Sequence, residues 1–470
     1  MSRLLGLDIG TTGCKAIVID ESGKILEESL AEYPLLTPKP GWTEQHPDNW
    51  WEAVESIYRK LSPPFDAIGL TGQMHGSVFL DKKFRVLRPA ILWNDQRTHE
   101  EVRELEDLLG IYNLYRITCN PPLTGFQAPK ILWLKNHEPE SFRNLHKVLL
   151  PKDYIHHKLT GGMFTDVSDA SGTSLFDVPQ RKWSRELLEK LDWNAEWFPE
   201  SVESFRVTDK TEDGALVVGG AGDQAAGAVG TGAVIPGVIS ISLGTSGVVF
   251  TSQEKPDYDP RGRIHTFCHA NGKWHSMSVM LSCGGALRWA RETFGFRNYE
   301  EMAFLAEKAV DGGVVFKPYL AGERSPHNDP LLRASFHNLS LASGKGEIAR
   351  AVFEGITFGL YDGFEVLNEI VGPFPENTVL RITGGGSKSD MWMQLIADVF
   401  RLPTVRLEMD EGPAYGAAIL AGVGLGIWDN VADACKELVR TTRLFEPDSS
   451  RAEELRILRE RWLQYPASKT

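Results

Sequence analysis

Short apolar runs alternate with polar, glycine-containing turns at several places in the chain. Residues 4–7 and 16–19 are apolar and flank the polar turn 10–13, which predicts two strands joined by a hairpin. The apolar runs 65–70 and 215–218 predict two further strands, and each of them leads into a polar segment that contains glycine.

Helical spacing of apolar residues marks other segments. Asp48 is placed to cap a helix whose predicted apolar face consists of Trp51, Val54, Tyr58 and Leu61. Apolar residues three or four positions apart predict a long helix over 347–370, and Leu455, Leu458 and Trp462 predict a last helix that docks by one face. Mixed strand and helix patterns of this kind predict an α/β fold.

One strand, turn and strand pattern occurs twice. The turn 10–13 has the sequence Gly-Thr-Thr-Gly, and about half a chain later the turn 244–247, Gly-Thr-Ser-Gly, again lies between apolar strands. Self-similarity of this kind indicates repeated architecture, so we expect two similar domains that face each other across a cleft. Glycine and proline cluster at 232–237, which places the predicted boundary between domains 1–235 and 236–470.

Composition excludes several classes of function. A net charge of −13 argues against a general affinity for nucleic acid or anionic membrane, because both need clustered positive charge. No apolar run is long enough to cross a bilayer, and Asp8 interrupts what would be the apolar core of a signal peptide. The five cysteines are too widely spaced to suggest a zinc site or disulfide framework, so we expect a reduced, cytoplasmic setting.

The segment 219–227 places a single carboxylate among small residues near the middle of the chain. Asp223 follows a predicted buried strand, has the amide Gln224 beside it, and is otherwise surrounded by glycine and alanine. Glycines let backbones and ligands approach closely. A carboxylate at a strand end in such surroundings is suited to act as a general base.

The two repeated turns are candidates for phosphate binding. Their backbone N–H groups and hydroxyls can surround phosphate oxygens, and Lys15 adds positive charge near the first turn. The alternative is a pair of ordinary hairpin turns, but the repeat favours phosphate binding. The glycine-rich turn 384–389, between a predicted strand and a helix, is a further candidate seat for an anion or nucleotide.

Other polar residues follow predicted strands or open predicted helices. Met74 and His75 follow the strand 65–70 and could border a hydroxylated ligand, although a histidine satisfied inside the fold is the more common case. Trp93 could stack on the C–H face of a sugar, and the polar run 94–97 either lines the same pocket or caps a helix. Asp153 is either a ligand contact or a helix cap.

Five motifs, taken together and in their order along the chain, resemble those of the FGGY carbohydrate kinases. These kinases share the nucleotide-binding architecture of actin and hexokinase. The motifs are residues 8–13, 222–224, 243–247, 384–387 and 416–418, and the resemblance covers nearly the whole chain. It implies an α/β protein with two ribonuclease H-like domains flanking a catalytic cleft. Within the family, the stretches 72–76 and 88–97 resemble the branch that phosphorylates D-xylulose.

The resemblance implies roles for particular residues. Asp223 would accept the proton of the sugar's terminal hydroxyl while ATP donates its γ-phosphoryl group, and Asp8 would help to hold Mg²⁺ through water. The implied sugar contacts are Met74, His75, Asp153 and Gln224. The implied ATP contacts are Thr11, Thr12, Lys15, Thr245, Gly284, Gly384, Gly385 and Ser389. Ser389 departs from the asparagine that glycerol kinases carry in this turn.

Three alternatives stay open at this point. The nearest is a related kinase that acts on another ketose, a polyol or gluconate. An ATP-driven switch of the actin or chaperone type is a different class, as is a sugar-responsive regulator, although no stretch resembles a helix-turn-helix with a basic face. The oligomeric state is also open, a homodimer included.

Overall fold

The computed structural model describes residues 2–409 and 412–469. The strands of the described residues are β1 Leu4–Ile9, β2 Gly13–Ile19, β3 Ile25–Glu32, β4 Glu44–Gln45, β5 Ala67–Gly72, β6 Val78–Leu80, β7 Ala90–Ile91, β8 Lys147–Leu149, β9 Phe164–Asp166, β10 Phe176–Asp177, β11 Lys182–Trp183, β12 Glu200–Val202, β13 Val207–Lys210, β14 Leu216–Val218, β15 Ala221–Gly222, β16 Val238–Leu243, β17 Gly247–Gln253, β18 His265–Cys268, β19 Trp274–Met280, β20 Val315–Lys317, β21 Leu332–Arg333, β22 Ser335–His337, β23 Val379–Thr383, β24 Thr404–Leu407, β25 Thr441–Phe445 and β26 Ser468–Lys469.

The α-helices are α1 Pro47–Lys60, α2 His99–Leu109, α3 Ile111–Thr118, α4 Gln127–His137, α5 Pro139–Arg143, α6 Pro151–Thr160, α7 Val167–Ala170, α8 Arg185–Lys190, α9 Asp223–Thr231, α10 Gly284–Thr293, α11 Tyr299–Lys308, α12 Lys345–Val371, α13 Asp390–Phe400, α14 Gly412–Leu425, α15 Val431–Leu438 and α16 Ser449–Gln464. Short 3₁₀ turns occur at Ser171–Thr173, Ala195–Trp197 and Gly385–Lys388. None of the helices in the described residues has the length and apolar character needed to span a bilayer.

The first large sheet aligns three parallel strand ends. β1 pairs with β2 in an antiparallel hairpin and with β5 in parallel, and β15 extends the sheet beside the end of β5. In this register Ile9 lies opposite Gly72, and Gly72 lies opposite Gly222. The residues that follow all three therefore emerge at one edge of the sheet, where open α/β sheets bind ligands.

The second large sheet repeats this arrangement. Strand order β3-β2-β1-β5-β14 in the first sheet corresponds to β19-β17-β16-β23-β24 in the second. The strand directions correspond as well. In the order given, each sheet has two antiparallel strand pairs followed by two parallel pairs. The sequence repeat is thus a repeat of structure, and each Gly-Thr turn joins the first two strands of its sheet.

Helix α14 comes from the second half of the chain but covers the first sheet. A Cβ atom on Gly6 would lie 1.9 Å from the carbonyl oxygen of Ala414, and a Cβ atom on Gly69 would lie 1.9 Å from that of Ala417. The backbone of α14 therefore rests directly on β1 and β5. A Cβ on Gly416 would similarly lie 1.8 Å from the carbonyl of Ala226 in α9. Close approach of this kind requires glycine. The domain boundary at 235/236 stays a prediction.

Two of the predicted helices are confirmed and a third is wrong in detail. α12 and α16 match the predicted segments, and Leu455, Leu458 and Trp462 are buried as expected. The cap of α1 is His46 rather than Asp48, whose carboxylate instead accepts a hydrogen bond from the Tyr154 hydroxyl. The fully buried face of α1 includes Trp50 and Ile57 rather than Trp51 and Tyr58, and the helix begins at Pro47.

Candidate active site

Two cavities lie at the ligand-binding edges of the sheets. The smaller, of about 250 Å³, is lined by Met74, His75, Trp93, Asp223 and Gln224 from the first half of the chain and by Ser246 and Arg324 from the second, among others. The larger, of about 790 Å³, is lined entirely from the second half. We refer to them as the small cavity and the large cavity.

Asp223 begins helix α9 and lines the small cavity. Its position is fixed from behind, because the preceding Gly222 N–H donates to Ser168 Oγ (3.1 Å), which itself donates to Asp166 Oδ2 (2.5 Å). Burial raises the pKa of Asp223 to about 6, although hydrogen bonds from the Gln224 backbone and side chain act to lower it. A carboxylate with this pKa is ionised at neutral pH yet still a useful proton acceptor.

Asp8 lies near Asp223 and opposite Lys15 in the first hairpin. Burial and the charge of Asp223 raise the pKa of Asp8 to about 7, while Lys15 acts to lower it. Asp8 Oδ1 is buried and has no hydrogen-bond partner among the described residues. An orphaned carboxylate oxygen beside a second carboxylate suits a hard cation such as Mg²⁺.

The donor set also suits a cation that keeps most of its water. No group of three or more His, Cys, Asp or Glu side chains could hold a metal ion within residues 2–409 and 412–469. Mg²⁺ is commonly bound by one or two carboxylates, with substrate phosphates and water as its other ligands. Asp8 and Asp223 fit that mode of binding.

Met74 and His75 form one wall of the small cavity. A Cβ on Gly222 would lie 2.9 Å from Met74 Cγ, so the methionine packs closely against the residue that precedes Asp223. His75 has a φ of 67°, a left-handed conformation that is costly for a residue with a side chain and typical of functional sites. Its ring stacks on Phe126 with 4.5 Å between centroids.

The hydrogen bond of His75 determines its chemistry. Nδ1 lies 2.8 Å from the carbonyl oxygen of Gly172, which can only accept, so Nδ1 carries the proton. Burial lowers the pKa of His75 well below its ordinary value, so the ring is neutral. Nε2 then has a free lone pair and can accept a hydrogen bond from a sugar hydroxyl.

The first Gly-Thr turn lies beside the small cavity. Trp93 Nε1 donates to Thr11 Oγ1 (3.0 Å), and Gln45 Nε2 donates to the carbonyl of Thr11 (2.7 Å). Thr12 is exposed, and its carbonyl accepts from the Tyr33 N–H (3.3 Å). The turn is therefore fixed from the side of the first sheet, and Trp93 joins it to the small cavity.

The second Gly-Thr turn lies beside the large cavity. The carbonyl of Gly244 accepts from Gly284 N–H (2.8 Å), and that of Thr245 accepts from Cys283 N–H (3.1 Å) and Gly285 N–H (3.0 Å). A Cβ on Gly284 would lie 2.4 Å from the Gly244 oxygen, so only glycine fits where α10 begins.

The large cavity also includes part of the third glycine turn. Gly385 and Ser389 line it together with Thr245 and Gly284, and apolar side chains of Leu243, Leu287 and Phe353 form other parts of the wall. Gly384 directly precedes this lining and has a φ of 81°, which favours glycine. Ser389 caps helix α13 by accepting from the Trp392 N–H (3.3 Å). Volume and lining suit a nucleotide.

Asp153 does not belong to either cavity. Its side chain is buried in a cluster with Lys152, Asp166 and Asp169, and its Oδ1 accepts from Lys152 Nζ (2.6 Å). Oδ2 accepts from the Leu150 N–H (3.2 Å) at the start of α6. The prediction of a sugar contact is therefore wrong, and the alternative, a helix cap, describes its position.

Within the polar run 94–97, Asp95 and Arg97 are structural as well. Asp95 accepts from Arg97 at 2.9 and 2.7 Å and from the Thr43 N–H at 2.6 Å, all in the interior. Arg97 also pairs with Glu44 (2.7 Å). Only the adjacent Trp93 lines the small cavity.

Arg324 is the functional candidate that the sequence analysis missed. It lines the small cavity from the loop that follows β20, a segment without helical or strand periodicity. The one signal available was a Glu-Arg pair between glycine and proline, at residues 322–326. Charged residues of that kind in a rigid turn are commonly functional.

Comparison with known proteins agrees with the geometry. The N-terminal domain model of the FGGY family of carbohydrate kinases matches residues 3–230, and its C-terminal domain model matches residues 239–425. The chain belongs to the FGGY family of carbohydrate kinases. The predicted family and the α/β fold of two actin- and hexokinase-like domains are thus confirmed.

Individual relatives are similar over nearly their whole length. A xylulose kinase of Klebsiella pneumoniae is 41% identical over 439 residues, or 90% of each chain. The structure of a xyloylose kinase from Brucella ovis has a TM-score of 0.93 at 36% identity, covering 98% of both chains. A gluconate kinase structure from Lactobacillus acidophilus has a TM-score of 0.92 at 28% identity, covering 98% of this FGGY kinase and 97% of its own chain.

Proposed function

We propose that this FGGY kinase transfers the γ-phosphoryl group of ATP to the terminal hydroxyl of D-xylulose, giving D-xylulose 5-phosphate and ADP. The observation that carries the proposal is the position of Asp223, an activated carboxylate in a sugar-sized cavity beside the first Gly-Thr turn. The relatives named above as xylulose kinases support the choice of sugar.

Asp223 acts as the general base. Its carboxylate takes the proton of the sugar's terminal hydroxyl as that oxygen attacks the γ-phosphorus, and the bond from phosphorus to the β–γ bridging oxygen breaks to release ADP. Phosphoryl transfer needs little covalent help, so alignment and charge neutralisation supply most of the acceleration. Asp8 would hold Mg²⁺, which would neutralise phosphate charge, and Lys15 contributes a positive charge beside Asp8.

The nucleotide occupies the large cavity. Thr245, Gly284, Gly385 and Ser389 line it, and Gly384 adjoins them, so the polyphosphate extends past the second turn towards Thr11 and Thr12 of the first. Approach of the two sheets closes the space between the turns and excludes water, which would otherwise take the phosphoryl group. Met74, His75 and Gln224 hold the sugar.

A panel of sugars tests the choice of substrate. Purified protein with ATP and Mg²⁺ is assayed for ADP release with D-xylulose, D-ribulose, glycerol, D-arabinitol and gluconate. We expect the highest kcat/KM with D-xylulose. Preference for gluconate, the second candidate because of the similar gluconate kinase structure, would contradict the proposal. ATP hydrolysis that no sugar stimulates would instead favour the actin- or chaperone-like switch.

We also propose a cytoplasmic setting, where ATP and reduced thiols are available. The five cysteines are all unpaired and buried, which agrees with such a setting. A homodimer stays a prediction, and light scattering of the purified protein would test it.

A further inference from the structure

Arg324 presents an unpaired positive charge to the small cavity. It lines that cavity together with Asp223 and His75, and its guanidinium makes no hydrogen bond or ion pair within the described residues. An arginine has five N–H donors and no acceptor. Leaving them without a partner in a partly buried site is costly, so an oxygen-rich ligand is the expected partner.

The backbone around Arg324 is held rigidly. The buried carboxylate of Glu323 accepts from the N–H groups of Leu281 and Arg324 itself, both at 2.8 Å, and Ser325 N–H donates to the carbonyl of Val279 at 3.0 Å. The loop is thereby attached to the end of β19. Sites on such fixed supports position a side chain well enough for recognition.

Arg324 and His75 line the same cavity, and the charge of the guanidinium acts on the His75 ring. The positive charge of Arg324 lowers the pKa of both His75 and His265, in addition to the larger effect of burial. His75 and Asp223 emerge from the ends of adjacent strands, β5 and β15. A sugar whose terminal hydroxyl reaches Asp223 would therefore extend its other end towards His75 and Arg324.

We propose that Arg324 determines specificity by donating hydrogen bonds to the keto end of the acceptor sugar, the C2 carbonyl and the C1 hydroxyl oxygens. This inference rests on the proposed function. A donor-only, planar group favours a carbonyl oxygen over the hydroxyl of the corresponding polyol, whose own proton must find a separate acceptor. Because Arg324 comes from the second half of the chain and Asp223 from the first, the sugar bridges the two.

The test compares Arg324→Met and Arg324→Lys with wild-type enzyme. The substrates are D-xylulose and D-arabinitol, which differ only in the oxidation state of C2. Arg297→Met is the matched control, because that arginine is exposed and pairs only with Glu301 outside both cavities. KM, kcat, KM for ATP and sugar affinity without ATP, by calorimetry, are measured for each variant.

We expect Arg324→Met to raise KM and the dissociation constant for D-xylulose about tenfold to hundredfold, the range of a lost charge-assisted hydrogen bond. Its kcat, its KM for ATP and its activity on D-arabinitol should change about threefold or less, and Arg324→Lys should recover part of the sugar affinity. An equal loss on both substrates, or a fall in kcat alone, would overturn the inference.

Failure of the proposed function gives a different result. A wild-type enzyme that prefers gluconate would overturn D-xylulose as substrate, and the variants would then be measured on gluconate and on D-glucitol, its polyol counterpart. A selective loss on gluconate would still support binding of the sugar's far end by Arg324. Equal losses on gluconate and D-glucitol would also overturn the binding of the sugar's far end by Arg324. Because the Arg324 guanidinium makes no hydrogen bond or ion pair with residues 2–409 or 412–469, we expect Arg324→Met to keep a melting temperature close to that of the wild type.

Discussion

The two Gly-Thr turns have nearly the same sequence and the same place in their sheets, but they are held by different neighbours. In the first, Trp93 bonds to the hydroxyl of Thr11, and a pair of carboxylates lies close by. In the second, backbone N–H groups at the start of α10 bond to the carbonyls of Gly244 and Thr245. The first turn is therefore fixed by a residue that lines the small cavity, and the second by the start of a helix that lines the large cavity.

The difference shows how a repeated fold acquires two roles. The residues that follow the parallel strands differ between the two turns. β5 and β15 place His75 and Asp223 beside the first turn, whereas β23 places the glycines 384–386 beside the second. We propose phosphate binding for both turns. A substitution confined to the lining of the small cavity should thus affect the sugar, and one confined to the lining of the large cavity should affect ATP.

Asp223→Ala should have the largest effect, and that effect should be on turnover of the sugar and not on the binding of ATP. We expect kcat to fall by about 10²- to 10⁴-fold, because the general base is lost. ATP affinity, measured by calorimetry without sugar, should stay close to that of the wild type, since the large cavity is untouched. Retained sugar-dependent turnover would refute the role of Asp223.

Gly284→Ala should instead weaken the binding of ATP and leave the binding of the sugar unchanged. The new Cβ would lie 2.4 Å from the Gly244 oxygen and force α10 away from the second turn, at a cost of about 1–3 kcal/mol. We expect KM for ATP to rise by about tenfold or more while sugar affinity is unchanged. The control is Gly227→Ala, which is not among the residues that line either cavity and whose Cβ would meet only Pro413 Cγ, at 3.8 Å. A similar change in both variants would show that the contact with Gly244 is not responsible.

The pH dependence should report the carboxylate pair beside the first turn. Asp223 must be ionised to accept a proton, so kcat/KM for the sugar should be flat above its pKa of about 6 and fall about tenfold per pH unit below it. The charge of Asp223 helps to raise the pKa of Asp8 to about 7, so Asp8 should lose its proton at lower pH in Asp223→Asn, as measured by the NMR shift of its carboxyl carbon against pH. An unchanged or higher Asp8 midpoint in that variant would contradict the coupling.

Thr11→Val and Thr245→Val should have the smallest effects and test the comparison most directly. Thr11→Val removes the acceptor for Trp93 and a hydroxyl proposed to lie near the polyphosphate, so KM for the sugar and KM for ATP should each rise about twofold to tenfold, the range of one neutral hydrogen bond. Thr245→Val should raise KM for ATP alone by a similar factor. An unchanged KM for the sugar in Thr11→Val, or a raised one in Thr245→Val, would contradict the difference between the two turns.

Sequence patterns predicted those parts of the site that follow directly from strand ends. Asp8, the two turns, Met74, His75 and Asp223 all come immediately after, or at the end of, an apolar run, and sheet register brings the residues of each half together. Resemblance to the family supplied their roles. Gly284 was predicted from the resemblance alone, and the structure adds the reason that glycine is needed where α10 begins.

Other features depend on contacts between distant segments and could not be predicted this way. Asp153 looked like a ligand contact because its partners Asp166 and Asp169 are distant in sequence and only the fold brings them around Lys152. Arg324 was missed because its loop is positioned by Glu323 bonding to Leu281, about 40 residues earlier. The cap of α1 was misplaced since a histidine, an uncommon capping residue, takes that position.

Helix α14 has a consequence for how the chain is made. The first sheet is complete once residue 222 has left the ribosome, but the helix that rests on β1 and β5 through Gly6 and Gly69 is synthesised some 200 residues later. During that interval an apolar surface of the nascent first half has no cover. Translation of the two halves as separate polypeptides would leave the same surface bare, so a fragment ending near residue 235 should aggregate unless the remainder is supplied in trans.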